Sequence, residues 1–216
     1  MSAARPDHLV LIVGTATEIG KTWVTARLCE ALRDEGVAVA ARKPAQSFEP
    51  GDREADRTDA QLLATASGVE PHDVTPPHRW YPIPLAPPMA AEALGRPPVI
   101  LADLVDELSW PTGTAVGLVE TAGGVRSPLA LDGDAVVLAA RTAPDLVLVV
   151  ADAGLGTIGA VRGASDALAA HRIVVHLNRF DGDDDTHRRN RSWLIERDGA
   201  VITTTISELA GAVVGR

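Results

Sequence analysis

The chain alternates short apolar runs with longer stretches of helical or loop character. Each apolar run is only a few residues long, which is typical of buried strands. Strands are predicted at residues 9–13, 37–41, 115–119, 146–151 and 173–177, with a weaker one at 200–204. Helices are predicted at residues 23–35, 60–67, 89–94 and 101–108, and from about Ser207. Near-continuous apolar strands separated by helices indicate an α/β fold, with a mostly parallel sheet covered on both faces.

The stretch at residues 70–88 interrupts this pattern with many prolines. Each proline removes a backbone donor and disfavours helix in the residue before it. We therefore expect loop or extended chain there. The sequence shows no internal repeat and no linker that would divide it. Its length of 216 residues predicts one domain, residues 1–216.

Composition and charge narrow the classes of function. Apolar residues make up 46% of the chain and charged residues 23%, which is ordinary for a globular protein. The net charge of −9 argues against binding to nucleic acid or to anionic membranes. The start of the chain is too short and polar for a signal peptide, no apolar run is long enough to cross a bilayer, and Cys29 has no partner for a disulfide. These features predict a cytoplasmic protein.

The segment from Gly14 to Thr22 joins the first predicted strand to the first predicted helix. A glycine-rich turn in that position lets backbone N–H groups surround phosphate oxygens, and the helix N-terminus adds positive potential. The pattern predicts a P-loop in which Lys21 reaches the outer phosphates and the Thr22 hydroxyl binds Mg²⁺. Its spacing departs from the usual P-loop by one extra residue between Gly14 and Gly20.

Polar residues follow two further predicted strands, at the sheet edge where ligands bind in such folds. Lys43 follows the second strand, and Pro44 favours an extended backbone for it, so its ammonium would project over the P-loop. Glu120 follows the strand at 115–119, and a buried carboxylate there is costly unless it meets a cation, for which Mg²⁺ is the natural candidate, or hydrogen-bond donors. Asp59 begins a predicted helix, where an N-cap or first-turn acid is common, and it is also a candidate for a functional role at this edge.

Five segments together resemble the dethiobiotin synthetases, a family of single-domain P-loop enzymes that act as homodimers. The segment at 14–22 is similar to the family's Gly-Thr-x-Thr-Glu-Val-Gly-Lys-Thr, and Lys43-Pro44 with Ser47 is similar to Lys-Pro-x-x-[Ser/Thr]-Gly. The others are 58–60 against Ser-Asp-Ala, 84–87 against Pro-x-[Ser/Ala]-Pro, and 119–124 against Val-Glu-Gly-Ala-Gly-Gly. They occur in the family's order.

The resemblance implies an ATP- and Mg²⁺-dependent ring closure. In the family, 7,8-diaminopelargonic acid and CO₂ form a carbamate, which attacks the γ-phosphate of ATP; the second amine then captures the mixed anhydride and closes a cyclic urea. The implied catalytic residues are Lys21, Lys43 and Thr17, and the implied metal ligands are Thr22, Asp59 and Glu120. Nucleotide binding is implied for Glu18, Ile19, Gly20, Lys21, Thr22 and Asn178, and substrate binding for Thr17, Lys43, Ser47, Gly123 and Gly124.

The chain also departs from the family pattern. Thr121 replaces a glycine, Pro88 stands where His is common, and Gly159-Ala160 replaces an Asn-His pair near the substrate carboxylate. The family's late Pro-x-x-Gly-x-[Ile/Leu]-Pro segment is missing, which leaves the nucleotide base open. Arg126 is a further candidate for an anionic substrate.

Two alternatives to this function remain open on the sequence. One is the same chemistry on a different amine, since Gly159 and Ala160 lack the family's side chains. The other is a P-loop regulatory ATPase in which nucleotide controls partner binding. Such proteins carry an extra lysine early in the P-loop, where this chain has Thr15 and Ala16.

Overall fold

The computed structural model describes residues 5–50 and 58–215. The strands are β1 His8–Gly14, β2 Val39–Arg42, β3 Gln46–Ser47, β4 Trp80–Tyr81, β5 Val116–Glu120, β6 Leu146–Asp152, β7 Ile173–Asn178 and β8 Ile202–Thr203. The helices are α1 Lys21–Asp34, α2 Asp59–Ser67, α3 Pro71–Val74, α4 Pro87–Ala93, α5 Leu101–Asp106, α6 Ala135–Thr142, α7 Thr157–Ala167, α8 Asp185–Glu196 and α9 Ile206–Val214, with a 3₁₀ turn at Pro77–Arg79.

Within these described residues, a six-stranded sheet has the order β2-β5-β1-β6-β7-β8. All its neighbouring strands run parallel. Strands β3 and β4 form a separate parallel pair. Because these strands run parallel, the carboxyl ends of β1, β2 and β5 meet at one edge. Strands β2 and β5 lie on one side of β1 and β6 to β8 on the other, and open α/β sheets bind ligands beside such a reversal of strand order. The predicted parallel α/β architecture is confirmed.

The two faces of the sheet bury separate apolar cores. Alternate residues of β1 illustrate the division: Leu9 and Leu11 pack with α5 to α8, whereas Val10 and Ile12 pack with α1, α2 and α9. This alternation follows from the two-residue repeat of a strand, whose successive side chains point to opposite faces. Both faces are covered by helices, so the strands are apolar throughout, as the sequence predicted.

The prediction of loop or extended chain across residues 70–88 is wrong in part. That stretch contains α3, the 3₁₀ turn, β4 and the start of α4. Prolines occupy the first helical positions of α3, the 3₁₀ turn and α4. A proline is well tolerated there because the first N–H groups of a helix have no intrahelical partner. The same residues that argue against a helix interior therefore start three short helical segments.

Helices α6 and α7 are among those that were not predicted. Helix α6 begins after Asp134, whose Oδ1 accepts from the N–H groups of Val136 and Val137. Helix α7 contains two glycines, and glycine weakens any helical signal in a sequence. Among the described residues, no helix has the length and apolar character needed to span a bilayer.

A buried histidine in β7 gives the fold a dependence on pH. His176 is 2% exposed and its Nδ1 lies 3.0 Å from the Thr203 hydroxyl. Burial lowers the pKa of the imidazole to about 4, while Glu208 opposes the shift. The unfolded chain keeps a pKa of about 6.5, so between these values it binds more protons than the folded state. The free energy of unfolding therefore falls as the pH falls from about 6.5 towards 4.

We expect His176→Asn to reduce the pH dependence of the free energy of unfolding. The wild type should lose up to about 1.4 kcal/mol of unfolding free energy per pH unit through this one group, beyond whatever other groups contribute. Urea unfolding at pH 7.5 and pH 5 measures the difference between wild type and variant. His171→Asn is the control, because His171 is only partly buried. Equal pH dependence in wild type and His176→Asn would contradict the assignment.

Candidate active site

The segment between β1 and α1 forms a tight loop over the sheet edge. The N–H of Thr15 donates to the Val150 carbonyl, and the N–H of Val125 donates to the Gly14 carbonyl, at 3.0 and 2.9 Å. A Cβ on Gly14 would lie 2.8 Å from the Ala16 carbonyl oxygen, so the turn needs glycine there. Glu18 adopts a positive φ of 60°, and α1 begins at Lys21. The strand–loop–helix arrangement predicted for a P-loop is present.

Asn178 fixes the end of this loop. It is the last residue of β7, and its Nδ2 donates to the Ile19 carbonyl at 2.8 Å. Gly20 has φ of 86°, and a Cβ there would lie 2.3 Å from the same Nδ2. The Asn178 amide therefore packs directly on the loop.

Lys43, Asp59 and Glu120 meet beside the loop. Lys43 Nζ donates to Glu120 Oε1 at 2.7 Å and also forms a short ion pair with Asp59. Glu120 is fully buried and Lys43 is nearly so. Three separate elements contribute to this cluster, because Lys43 follows β2, Asp59 begins α2 and Glu120 ends β5. The convergence predicted from strand ends is present for Lys43 and Glu120, and Asp59 joins them from the start of a helix.

Two hydroxyls of α1 complete the surroundings of Glu120. Thr22 Oγ1 donates to Glu120 Oε1 at 2.7 Å, and Thr25 Oγ1 donates to Glu120 Oε2 at 2.6 Å. Thr25 is fully buried and was not among the predicted site residues. The signal that could have found it is spacing, since a residue three positions after Thr22 lies on the same helix face.

The cluster alters the pKa of its members in opposite directions. Burial works against the charge on Lys43, but Glu120 and Asp59 outweigh it and raise the pKa of the ammonium above its usual value. Burial also works against ionisation of Asp59, yet Lys43 holds the pKa of that carboxyl below its usual range. Both groups are therefore charged at neutral pH.

Lys21 is the first residue of α1, and its ammonium has a weaker hydrogen-bond partner than that of Lys43. Its Nζ donates to the Ala16 carbonyl at 3.3 Å. Burial lowers the pKa of Lys21 from its usual value; Glu120 opposes the shift and Lys43 adds to it. Lys21 and Lys43 are the only lysines in the sequence, which has eighteen arginines. Both therefore lie at this one site, as compact positive charges suited to phosphate oxygens.

The oxygens at this site suit Mg²⁺. Thr22, Asp59 and Glu120 supply one hydroxyl and two carboxylates around the Lys43 ammonium. Mg²⁺ is commonly held by one or two carboxylates together with substrate phosphates and waters. Among the described residues, no group of three or more His, Cys, Asp or Glu side chains could hold a metal by itself. The donor set therefore fits a metal that arrives with a nucleotide.

The other predicted site residues differ in exposure and in their contacts. Thr17 and Glu18 are on the exposed outer part of the loop. The Ser47 hydroxyl is buried and has no hydrogen-bond partner in the part of the chain that is described. Gly124 lies against the loop, since a Cβ there would be 3.3 Å from the Thr15 carbonyl oxygen, and its N–H donates to Ser127 Oγ at 2.9 Å.

The positions that depart from the family pattern have different surroundings. Thr121 is buried, and its hydroxyl donates to the Ile12 carbonyl at 3.1 Å. Gly159 and Ala160 are exposed in the first turn of α7, and a Cβ on Gly159 would meet nothing within 4 Å. Arg126 pairs with Asp134 at 2.9 Å while remaining largely exposed.

Comparisons with solved structures show the same fold. Chloroplast FtsY from Physcomitrella patens aligns with a TM-score of 0.55 at 17% identity, over 97% of this chain and 65% of that one. The signal recognition particle 54 kDa protein from Aeropyrum pernix, solved with GDP, aligns with a TM-score of 0.53 at 19% identity, over 98% of this chain and 47% of that one. These low identities support the fold alone.

Comparisons of sequence identify the family. Residues 8–184 match the family model described as AAA domain. An ATP-dependent dethiobiotin synthetase from a Parafrankia species is 40% identical over 95% of this chain and 83% of its own. The synthetase of Haloferax mediterranei is 34% identical, over 91% of this chain and 83% of the length of that protein. The synthetase of Rhodococcus jostii is 38% identical, over 75% of this chain and 68% of the length of that protein. The residues matched by the family model include the P-loop, both lysines, Asp59 and Glu120. The chain belongs to the ATP-dependent dethiobiotin synthetase family.

Proposed function

We propose that the protein closes a cyclic urea on a vicinal diamine, with 7,8-diaminopelargonic acid, CO₂ and ATP as substrates and dethiobiotin as product. The observation that supports this most is the meeting of Lys43, Asp59 and Glu120 beside the P-loop. A site for phosphoryl transfer needs exact positioning and neutralisation of negative charge. Two lysines and an acidic metal site beside a phosphate loop supply both.

The reaction begins with a carbamate formed from one amine and CO₂. A carbamate oxygen attacks the γ-phosphate of ATP, and ADP leaves. The second amine then attacks the carbon of the mixed anhydride, the C–O bond breaks, and phosphate departs as the ring closes. Mg²⁺, held by Thr22, Asp59 and Glu120, would offset the charge of the phosphates. Lys21 would bind the outer phosphate oxygens from within the loop.

Lys43 would stabilise the charge that develops between carbamate and γ-phosphate. In the nucleotide-free protein its ammonium is held by Glu120 and Asp59, with no acceptor beyond them among the described residues. Anionic oxygens entering beside it add a third acceptor to a group with three donors. Because the pKa of Lys43 is raised, the ammonium remains charged throughout. Lys43 therefore acts as a fixed positive charge and not as a base.

The substrate would lie between the loop and the segment around Gly124. Ser47 has a hydroxyl free to bind it, since that atom is buried and unpartnered in the described chain. Thr17 and Gly123 would form the other walls. The carboxylate tail would reach a partner subunit in a homodimer. Leu155 supports such an interface, because it is 99% exposed beside the start of α7 and a large apolar side chain gains by being covered.

This function is tested by measuring whether phosphate release requires both diamine and bicarbonate. A carbamate must form before its oxygen can attack, so omitting either compound should reduce release to the slow rate of hydrolysis by water. Gly159 and Ala160 lack the side chains that the family places near the tail. Each lost charged hydrogen bond costs about 1.5–3 kcal/mol, so we expect weak binding of 7,8-diaminopelargonic acid. Restoring Asn and His at 159 and 160 should lower its KM.

The outcomes separate the proposal from its alternatives. Synergy between diamine and bicarbonate at any concentration supports the cyclo-ligase. No synergy with 7,8-diaminopelargonic acid at millimolar concentration, together with synergy for a different diamine, would move the assignment to another substrate of the same chemistry. Phosphate release that needs no amine at all would favour a regulatory ATPase.

A further inference from the structure

Thr25 bears a hydroxyl beside Glu120 that neither the family motifs nor the proposed mechanism uses. It lies on the second turn of α1, one residue beyond Val24, and its side chain is fully buried. Its Oγ1 is 2.6 Å from Glu120 Oε2 and 2.9 Å from the Lys21 carbonyl oxygen. A threonine that only continues the helix would make the second contact alone.

A hydroxyl has one proton, so Thr25 donates to one of these two acceptors. The carboxylate is the stronger acceptor because it is ionised, and the shorter distance agrees with a charge-assisted hydrogen bond. The Lys21 carbonyl already lies in the first turn of a helix, where it accepts from the backbone. We infer that the Thr25 proton is directed to Glu120.

The two oxygens of Glu120 then have different surroundings. Oε1 accepts from Thr22 and Lys43, the two groups that face nucleotide and substrate in the proposed function. Oε2 accepts from Thr25, which lies three residues after Thr22 on α1. Rotation of the carboxylate about its Cγ–Cδ bond would exchange these positions, and the Thr25 bond opposes that rotation.

We propose that Thr25 is a positioning residue, which holds Glu120 Oε2 so that Oε1 stays directed at the metal and phosphate side. The proposal rests on the proposed function, in which Glu120 binds Mg²⁺. Partners that orient a metal-binding carboxylate typically change metal affinity about 10–100-fold when they are removed. Thr25 therefore acts on the metal through Glu120, without touching it.

Two variants of Thr25 isolate the hydroxyl. Thr25→Ser and Thr25→Ala both lose the methyl group, and only the serine keeps the donor. Thr25→Val, which fills the volume of threonine, replaces the alanine variant if that one does not fold. Thr142→Ser and Thr142→Ala are the matched controls, because Thr142 donates to the i−4 carbonyl of Leu138 and has no carboxylate partner among the described residues.

Binding of Mn²⁺ as a probe for Mg²⁺, measured by electron paramagnetic resonance with a non-hydrolysable ATP analogue, provides the readout. We expect Thr25→Ala to bind Mn²⁺ about tenfold more weakly than Thr25→Ser, and the two Thr142 variants to be equal. Equal Mn²⁺ affinities for Thr25→Ser and Thr25→Ala would overturn the proposal. A wild type that binds no Mn²⁺ with the analogue would overturn the metal site of the proposed function, and this inference with it.

A second readout needs neither metal nor nucleotide. In EDTA, Thr25→Ala leaves Glu120 Oε2 buried without its donor, so it should melt at least about 2 °C below Thr25→Ser, a larger gap than between the Thr142 variants. If the difference in melting temperature between the serine and alanine variants is the same at Thr25 as at Thr142, Thr25 only continues the helix. This result would overturn the inference while leaving the proposed function standing.

Discussion

Replacing Lys43 with alanine is expected to lower the rate of phosphate release by about 10²–10³-fold. That is the usual loss when one preorganised group that stabilises transition-state charge is removed. Lys43 contacts Glu120 and Asp59 rather than the P-loop backbone, so the affinity for nucleotide should change little. Steady-state phosphate release and calorimetric titration with a non-hydrolysable ATP analogue measure the two quantities separately.

Lys43→Arg is the matched variant, because it retains the positive charge that the two carboxylates face. It should fold as the wild type does and release phosphate at a rate between those of wild type and Lys43→Ala. Thermal unfolding checks that each variant is folded. A folded Lys43→Ala protein with an unchanged rate would remove Lys43 from the mechanism.

Glu120→Gln is expected to raise the Mg²⁺ concentration for half-maximal phosphate release at least tenfold and to lower the maximal rate. The substitution keeps the shape of the side chain but removes the negative charge, and one of the two oxygens that accept from Thr22 and Thr25 becomes an NH₂ group, which only donates. Glu120 is fully buried, so that charge acts on the metal with little screening by water. Rates measured across a range of Mg²⁺ concentrations give both values.

Glu107→Gln provides the control for a lost carboxylate. Glu107 is paired with Arg79 at 2.7 and 2.9 Å, and among the described residues neither forms a hydrogen bond or ion pair with Lys43, Asp59 or Glu120. This variant should keep the Mg²⁺ dependence of the wild type. If Glu120→Gln also keeps it, Glu120 is not a metal ligand.

The sequence was sufficient for the central part of the site because parallel strands end at a common edge. Lys43 and Glu120 could be placed near the P-loop from their positions after two apolar runs alone. Asp59 was ambiguous, since a first-turn acid has the same sequence pattern as a ligand. Its ion pair with Lys43 is a tertiary contact between α2 and the chain after β2. No local pattern specifies such a contact.

The parts that were missed depend on contacts distant in sequence. Thr25 lies in a helix whose pattern is satisfied by its apolar residues, and only the position of Glu120 gives its hydroxyl a role. Asn178 could be placed at a strand end, but not the direction of its amide, which points to the Ile19 carbonyl. Helix α7 was hidden because its glycines weaken local propensity, and packing of Val161 and Ala164 on the sheet stabilises it instead.

The origin of the oxygen in the released phosphate tests the central claim most directly. With ¹⁸O-labelled bicarbonate, 7,8-diaminopelargonic acid and Mg-ATP, a carbamate oxygen becomes the bridge to phosphorus and leaves with the phosphate when the ring closes. The account therefore predicts a single ¹⁸O atom from bicarbonate in each phosphate, measured by mass spectrometry at times shorter than exchange with water. Phosphate whose new oxygen comes from solvent water, with none from bicarbonate, would contradict it.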